Sequence, residues 1–134
     1  MLAVYDTNVF GVVRVTRAML PLLERSDAPV IVNVSSGMGS LAITTDPERF
    51  ESTLKALAYP SSKSALNMLT SQYAKAHPRF RINAVDPGYT ATDLNGHRGT
   101  KTIEQGAEII VRMAMIGSDG RTGTFTDEHG LVPW

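Results

Sequence analysis

The run Val30-Ile31-Val32-Asn33-Val34 decides the fold of this chain, and small residues follow it at once in Ser35-Ser36-Gly37-Met38-Gly39. The run is rich in β-branched residues and shows little alternation with polar ones. Such a pattern is typical of a strand that is covered on both faces, as in a parallel sheet. The carboxyl end of such a strand is where open α/β sheets bind ligands, so we expect a site there. A plain strand-to-loop turn is the alternative, because serine is common in turns.

Helical patterns flank this strand. Asp6 is expected to cap a helix that extends to about Glu24. Asp46-Pro47 predicts the start of a short amphipathic helix whose apolar face carries Phe50, Leu54 and Leu57. A second long helix is predicted from Tyr59 to about Ala76.

The rest of the chain continues the alternation of helices and strands. A second strand is predicted at 81–85, and Ala91 to Lys101 is expected to be a mobile loop. Thr102 and Gln105 form a capping box for a third helix at 103–116, and a last strand is expected at 123–126. This order predicts one α/β domain over residues 1–134, with a parallel sheet and right-handed crossovers.

Charge and composition exclude several classes of function. Lys+Arg and Asp+Glu both number 13, so the formal net charge is +0, and neither a basic stripe nor an acidic tail is present. We therefore expect no binding to nucleic acid or membranes. The chain has no cysteine, and its three histidines lack ligand spacing, so no metal site is expected. The absence of a signal pattern and of a membrane-length apolar run favours a cytoplasmic location.

Tyr59-Pro60-Ser61-Ser62-Lys63 opens the second long helix. Residues four apart lie on one helix face about one turn apart, so the Lys63 ammonium is expected beside the Tyr59 phenol. A cation there favours the phenolate and lowers a phenol pKa that is ordinarily about 10. A tyrosine so tuned can exchange a proton with an alcohol or carbonyl near neutral pH. A purely structural Tyr-Lys pair is the alternative, since the spacing alone is common.

Four features now occur in order: Asn8 in the first turn of a helix, Ser-Ser-x-x-Gly after a strand, Tyr-x-x-x-Lys at a helix start, and Pro87-Gly88 after the next strand. Together they resemble the second half of a short-chain dehydrogenase/reductase, and several flanking segments resemble its carbonyl-reductase-like branch. The resemblance implies the second half of a Rossmann-type parallel sheet with flanking helices. It also implies an oxidoreductase that transfers hydride between NAD(P)H and a small carbonyl or alcohol substrate.

The resemblance assigns a role to each catalytic candidate. Tyr59 resembles the general acid/base, and Lys63 resembles the residue that lowers its pKa and holds the nicotinamide ribose. Ser36 matches the serine that hydrogen-bonds the substrate oxygen, with its neighbour Ser35 as the less favoured alternative. Asn8 resembles the residue that keeps a water next to the lysine for proton relay.

The same resemblance assigns cofactor contacts. Pro87, Gly88, Tyr89 and Thr90 resemble the segment that lies against the nicotinamide, and Thr92 resembles the hydroxyl that binds its amide. NADP(H) is favoured over NAD(H).

The substrate pocket is described only coarsely by the sequence. Met38, Leu41 and Tyr89 are consistent with an apolar site, and equally with side chains that simply pack the loops.

The sequence contains no G-x-G-x-x-G turn, which would bind pyrophosphate at a helix N-terminus. The chain is therefore expected to lack the N-terminal dinucleotide-binding half of the family, and to bind the cofactor poorly and show little activity by itself. Val30–Val34 would then be an open apolar sheet edge, so we expect a homo-oligomer or pairing with another chain through this strand. A catalytically silent fragment that folds as an oligomer or with a partner chain is the alternative to an enzyme.

Overall fold

A four-stranded sheet forms the centre of the molecule in the computed structural model, which describes all of residues 1–134. Its strands, in spatial order, are β1 (Val30–Val34), β2 (Arg81–Val85), β3 (Phe125–Asp127) and β4 (Gly130–Leu131). The first three strands are parallel, and β4 is antiparallel to β3. The predicted α/β fold with a parallel sheet is confirmed, while β4 was not predicted because two residues are too short to leave a pattern.

Five α-helices surround the sheet: α1 (Leu2–Tyr5), α2 (Val12–Leu23), α3 (Leu41–Thr45), α4 (Ala58–Ala76) and α5 (Ile103–Ala114). The long helix predicted from Tyr59 to Ala76 is confirmed as α4. The capping box of α5 is confirmed as well, because the Gln105 N–H donates to the Thr102 hydroxyl over 3.2 Å. No helix combines the length and the apolar character that crossing a membrane would demand.

The core lies on both faces of the central strand β2. On one face Ile82 packs with Ala74 of α4 and with Phe80, and side chains of α2 complete this cluster. On the other face Val85 packs with Ile109 and Met113 of α5. Ile82 and Val85 are both 0% exposed, and full burial of such a side chain contributes about 1.5–3 kcal/mol. The helices are thereby fixed against the strand ends that carry the candidate site.

The first helix begins earlier than predicted. It starts at Leu2, and a π-helical turn at Asp6–Gly11 joins α1 to α2 without a break. Asp6 is therefore not a helix cap, and its carboxylate instead accepts a bond from Arg14 at 3.0 Å. The Asp6 carbonyl accepts a bond from a second Arg14 nitrogen, at 3.2 Å.

The amphipathic helix predicted after Asp46 is wrong. The helix in this region, α3, ends before Pro47, and only a 3₁₀ turn at Phe50–Thr53 follows. Phe50 and Leu57 are 70% and 74% exposed, so their apolar face has nothing to pack against. The Ser40 hydroxyl caps the start of α3 by accepting the Ile43 N–H. Helical backbone is disfavoured for the residue before a proline, so α3 ends before Asp46.

β1 is less covered than predicted, since Val34 is 39% exposed and β1 pairs only with β2. The Ser35 N–H donates to the Val85 carbonyl and the Arg81 N–H to the Pro29 carbonyl. In a parallel pair, alternate residues bond to alternate sides, so Val30, Val32 and Val34 direct their backbone groups to the open side. A groove of about 670 Å³ runs along this open edge, between β1 and the first helix.

The remaining differences are at element ends and in one loop. The helix predicted at 103–116 is α5, which ends at Ala114, two residues before the predicted end. The strand predicted at 123–126 is β3, which lies at Phe125–Asp127. The loop predicted at 91–101 is closed at its base by a bridge between Thr90 and Lys101, and it contains a 3₁₀ turn at Asp93–Asn95.

Candidate active site

The candidate site lies where the carboxyl ends of β1 and β2 meet the first turn of α4. β1 ends at Val34 and is followed by Ser35 and Ser36, and β2 ends at Val85 and is followed by Asp86. The two strands are in register, with Val34 opposite Val85, so the two loops leave the sheet side by side. Tyr59 lies in the first turn of α4. The parallel sheet therefore brings together segments that are far apart in sequence.

The Tyr59 phenol and the Ser36 hydroxyl lie close enough for Ser36 to influence the ionisation of the phenol. Burial raises the pKa of the Tyr59 phenol above its ordinary value, the Ser36 hydroxyl acts in the opposite direction, and the charge of Asp86 raises this pKa further. The Ser36 hydroxyl also accepts the Met38 N–H over 3.2 Å, which sets its orientation. Two hydroxyl groups thus converge on one point at the end of β1.

Lys63 lies one helical turn from Tyr59, with its Nζ 5.6 Å from the centre of the phenol ring. The predicted proximity of the two residues is confirmed, but the predicted lowering of the phenol pKa is wrong for this structure. The Lys63 ammonium donates to the Val34 carbonyl over 2.7 Å, and burial is the main cause of the raised phenol pKa. Burial also lowers the pKa of Lys63 itself.

Asn8 reaches the site from the π-helical turn. Its side-chain amide donates to the Ser62 hydroxyl over 3.0 Å, and Ser62 in turn donates to the Tyr59 carbonyl over 2.7 Å. Asn8 therefore contacts the same helical turn that carries Tyr59 and Lys63, although it touches neither of their side chains in these contacts.

Ser35 and Ser36 occupy different environments. Ser35 is 2% exposed and donates to the Asn67 side-chain oxygen over 2.5 Å. Asn67 also donates to the Gly39 carbonyl over 3.2 Å, so it ties the loop after β1 to α4. The structure thus places Ser36 beside Tyr59 and Ser35 beneath the loop. Asn67 was not identified from the sequence, although a polar residue one turn after Lys63 in an apolar stripe is a signal.

The second loop carries the segment assigned to the cofactor. Pro87 follows β2 after one intervening residue, Asp86. Gly88 has a φ of +76°, a conformation that favours glycine. Tyr89 is 52% exposed at the edge of the site, and Thr90 forms the bridge to Lys101. Thr92 lies farther along the loop, where its N–H donates to the Asn95 side chain over 3.2 Å.

Asp86 is the site residue that sequence reasoning missed. Its carboxylate accepts the Gly37 N–H and the Gly88 N–H, each over 2.9 Å, so it bridges the loops that follow β1 and β2. Burial raises the pKa of this carboxyl, while the two backbone bonds act against that shift. An acidic residue between a buried strand and Pro-Gly is the sequence signal that was available.

These residues fit one end of a nicotinamide dinucleotide. Tyr59 offers a phenol hydroxyl, and Lys63 offers an ammonium 5.6 Å from the centre of the phenol ring, a donor set suited to ribose hydroxyls. A glycine-rich turn for the pyrophosphate is not among the loops of this sheet.

The fold and the arrangement at the end of β1 define a dehydrogenase-type α/β chain, and comparison with known proteins places it more narrowly. The short chain dehydrogenase family matches residues 1–103, and the chain belongs to this family. A (+)-neomenthol dehydrogenase from Capsicum annuum is 33% identical, over 90% of this chain and 49% of that protein. The resemblance inferred from the sequence is thus confirmed.

Solved structures agree with this placement. Salutaridine reductase from Papaver somniferum is 34% identical, with a TM-score of 0.78 over 90% of this chain and 52% of that one. An NADPH-bound carbonyl reductase from chicken fatty liver has a TM-score of 0.79 over 97% of this chain and 55% of that one. Its 24% identity supports the shared fold only. The chain spans about half the length of the curated relatives it matches.

Proposed function

We propose that this chain is the catalytic half of a nicotinamide-dependent oxidoreductase of carbonyls and alcohols. The observation that carries the proposal is the grouping of the Ser36 and Tyr59 hydroxyls, with Lys63 one turn away, at the carboxyl end of a parallel strand. The family, and relatives named as dehydrogenases and reductases, support the same chemistry.

The two hydroxyls would act on a single substrate oxygen. Ser36 donates a hydrogen bond that holds the oxygen, and Tyr59 donates the proton that the oxygen needs when a carbonyl becomes an alcohol. The raised pKa of Tyr59 keeps the phenol protonated, which suits the direction of carbonyl reduction. Asn8 supports the turn of α4 that carries Tyr59, through Ser62, and is assigned to the proton relay beyond Lys63.

The cofactor contacts are assigned to the same edge. Lys63 and Tyr59 would hold the ribose next to the nicotinamide, the Pro87–Thr90 segment would lie against the ring, and Thr92 would bind its amide. When bound, the cofactor supplies the hydride, and the protein supplies position and charge. NADP(H) is favoured over NAD(H), and the carbonyl reductase from chicken fatty liver, which shares this fold, binds NADPH.

A catalytically silent fragment is the second candidate, and a specific contact favours it. The ammonium of Lys63 donates to the Val34 carbonyl at the open edge of β1, so one of its three N–H groups is occupied by the chain itself. Under this proposal the chain acquires activity only when another strand or chain covers that edge.

The first experiment compares wild type with Tyr59→Phe, using NADPH, NADH and a panel of ketones and aldehydes. Loss of the phenol hydroxyl removes the proton donor, so turnover should fall by at least about 100-fold, in line with general acid catalysis. Tyr73→Phe is the matched control, because Tyr73 lies on the same helix but packs in the core with Phe80 and Ile82. It should retain the wild-type rate.

Each outcome favours one candidate. Turnover that is lost in Tyr59→Phe and kept in Tyr73→Phe supports the enzyme. Turnover that survives in Tyr59→Phe overturns the assignment of the acid. If wild type shows no turnover, fluorescence titration with NADPH decides: tight binding contradicts the silent fragment, and its absence supports it.

A further inference from the structure

One carboxylate connects the two loops of the candidate site. Asp86 Oδ2 accepts the Gly37 N–H and Asp86 Oδ1 accepts the Gly88 N–H, each over 2.9 Å. Gly37 comes directly after Ser36, and Gly88 belongs to the segment assigned to the nicotinamide. A single side chain therefore links the loop that carries Ser36 to that segment.

The backbone of the loop after β1 lies close to this carboxylate at Gly37. A Cβ at Gly37 would lie 3.0 Å from Asp86 Oδ2 and 3.3 Å from Glu51 Oε1. The loop after β1 thus approaches the carboxylate through bare backbone. A carboxylate that accepts two N–H groups is the only common side chain that satisfies both donors with two oxygens at once.

The charge of Asp86 also acts on Tyr59. It makes removal of the phenol proton less favourable, in addition to the effect of burial. The other ionisable groups near Asp86 are Glu51 on the 3₁₀ turn at Phe50–Thr53 and Asp127 on β3, and both are acidic. Lys101 lies nearby, with Nζ 3.3 Å from the Pro87 carbonyl, and is paired with Glu128 at 2.6 Å.

We propose that Asp86 is a positioning residue of this site: its carboxylate fixes the Ser36 loop against the Pro87-Gly88 turn. The inference rests on the proposed function, because it treats Ser36 and Tyr59 as the pair that meets the substrate. Its tests use properties of the chain that do not depend on turnover.

The first test needs no substitution. The Gly37 and Gly88 amide signals are followed by ¹H–¹⁵N NMR of the wild-type chain as the pH is lowered. Both should shift with one common midpoint that lies above the ordinary aspartate value, because both donate to the same buried carboxyl. Two different midpoints, or amides that do not respond, would overturn the proposal.

The second test is Asp86→Asn, which keeps the size of the side chain but removes the charge and one of the two acceptors. The amide whose acceptor is lost should move upfield and exchange faster with solvent. The ionisation midpoint of Tyr59, taken as the difference in phenolate absorbance between each protein and its Tyr59→Phe form, should fall by a few tenths of a pH unit or more. An unchanged midpoint in a folded variant contradicts the role of the charge.

Asp46→Asn is the matched control, because Asp46 also accepts a backbone N–H in an exposed turn, from Glu48 over 3.0 Å, but is not among the groups that act on Tyr59. It should leave both glycine amides and the Tyr59 midpoint unchanged. If the Tyr59 midpoint is the same in Asp86→Asn as in wild type while NADPH binding is normal, only the role of Asp86 is refuted. Retention of both Asp86 effects in a chain without turnover or cofactor binding refutes only the proposed function.

Discussion

Lys63 illustrates how a residue of the site depends on its surroundings. Its position relative to Tyr59 follows from the helical repeat, but its ammonium turns to the carbonyl of Val34 because that carbonyl has no strand partner. The group is partly removed from water, which lowers its pKa. The charged form of Lys63 is therefore less favourable in the folded state than in water, and its burial lowers the free energy of unfolding.

Lys63→Met should reveal this cost as a change in the pH dependence of stability. The folded wild type releases the Lys63 proton at a lower pH than the unfolded chain does, so the unfolded state binds more protons between the two pKa values. The free energy of unfolding of wild type should consequently rise, relative to the variant, as the pH increases from the lowered pKa towards about 10.4. Urea unfolding of both proteins at pH 7 and at a pH of about 10, just below the ordinary lysine pKa, measures the difference.

Lys55→Met is the control for this comparison, since Lys55 is exposed and makes no hydrogen bond to the sheet. Its stability relative to wild type should not change between the two pH values. A constant difference between wild type and Lys63→Met would contradict the desolvation of Lys63.

The sequence predicted the neighbours of Tyr59 more reliably than its acidity. A spacing of four residues on a helix places Lys63 on the correct face whatever the rest of the chain does. The phenol pKa depends on burial and on the charge of Asp86, a residue that follows β2 and lies 27 positions from Tyr59 in sequence. Such long-range terms leave no periodic pattern, so they could not be predicted from the chain alone.

At the scale of elements, Gly39 decides how closely the loop after β1 approaches α4. A Cβ at this position would lie 2.7 Å from the Lys63 carbonyl carbon and 2.8 Å from the Lys63 Cβ. The helix backbone cannot move aside without displacing its own hydrogen bonds. The glycine of Ser-Ser-x-x-Gly is thus required by contact between two elements, and the same contact places Ser36 near Tyr59.

Gly39→Ala should destabilise the chain by about 1–3 kcal/mol, the usual cost of inserting an atom into packed backbone. Thermal unfolding followed by circular dichroism measures the loss. Gly96→Ala is a suitable comparison, because a Cβ at Gly96 meets nothing within 4 Å and the cost is limited to its φ of +60°, about 1 kcal/mol. An equal or smaller loss in Gly39→Ala would show that the loop is not seated on α4 as described.

Elements with a packing partner were predicted well, and those without one were not. α4 and β2 lie where their patterns placed them, because each buries an apolar surface in the core. The helix expected around Phe50 had the spacing but no surface to cover, and the capping hydroxyl of Ser40 started α3 upstream instead. Periodicity indicates a face, whereas the existence of a helix depends on what that face meets.

At the scale of the whole molecule, the two edges of the sheet differ. β4 closes one side as a two-residue strand, and short edge strands offer little for another chain to pair with. The β1 edge is five residues long, and the adjoining groove is lined by Val15 and Met19, which are 64% and 44% exposed. A chain that spans about half the length of its relatives thus presents one long apolar edge and one short one.

We therefore expect the chain to self-associate through β1, with a strand of a second copy lying in this groove. Sedimentation velocity over a range of concentrations should show a species larger than the 14.5 kDa monomer. The double variant Val15→Lys, Met19→Lys should shift the equilibrium to monomer, because two ammonium groups in the groove would have to be desolvated on pairing. Met115→Lys is the matched control. Met115 is 79% exposed and follows α5, which packs on the opposite face of the sheet from α2, so this variant should leave the association unchanged. A wild-type chain that remains monomeric at all concentrations, or a double variant that associates as strongly as Met115→Lys, would contradict pairing at β1.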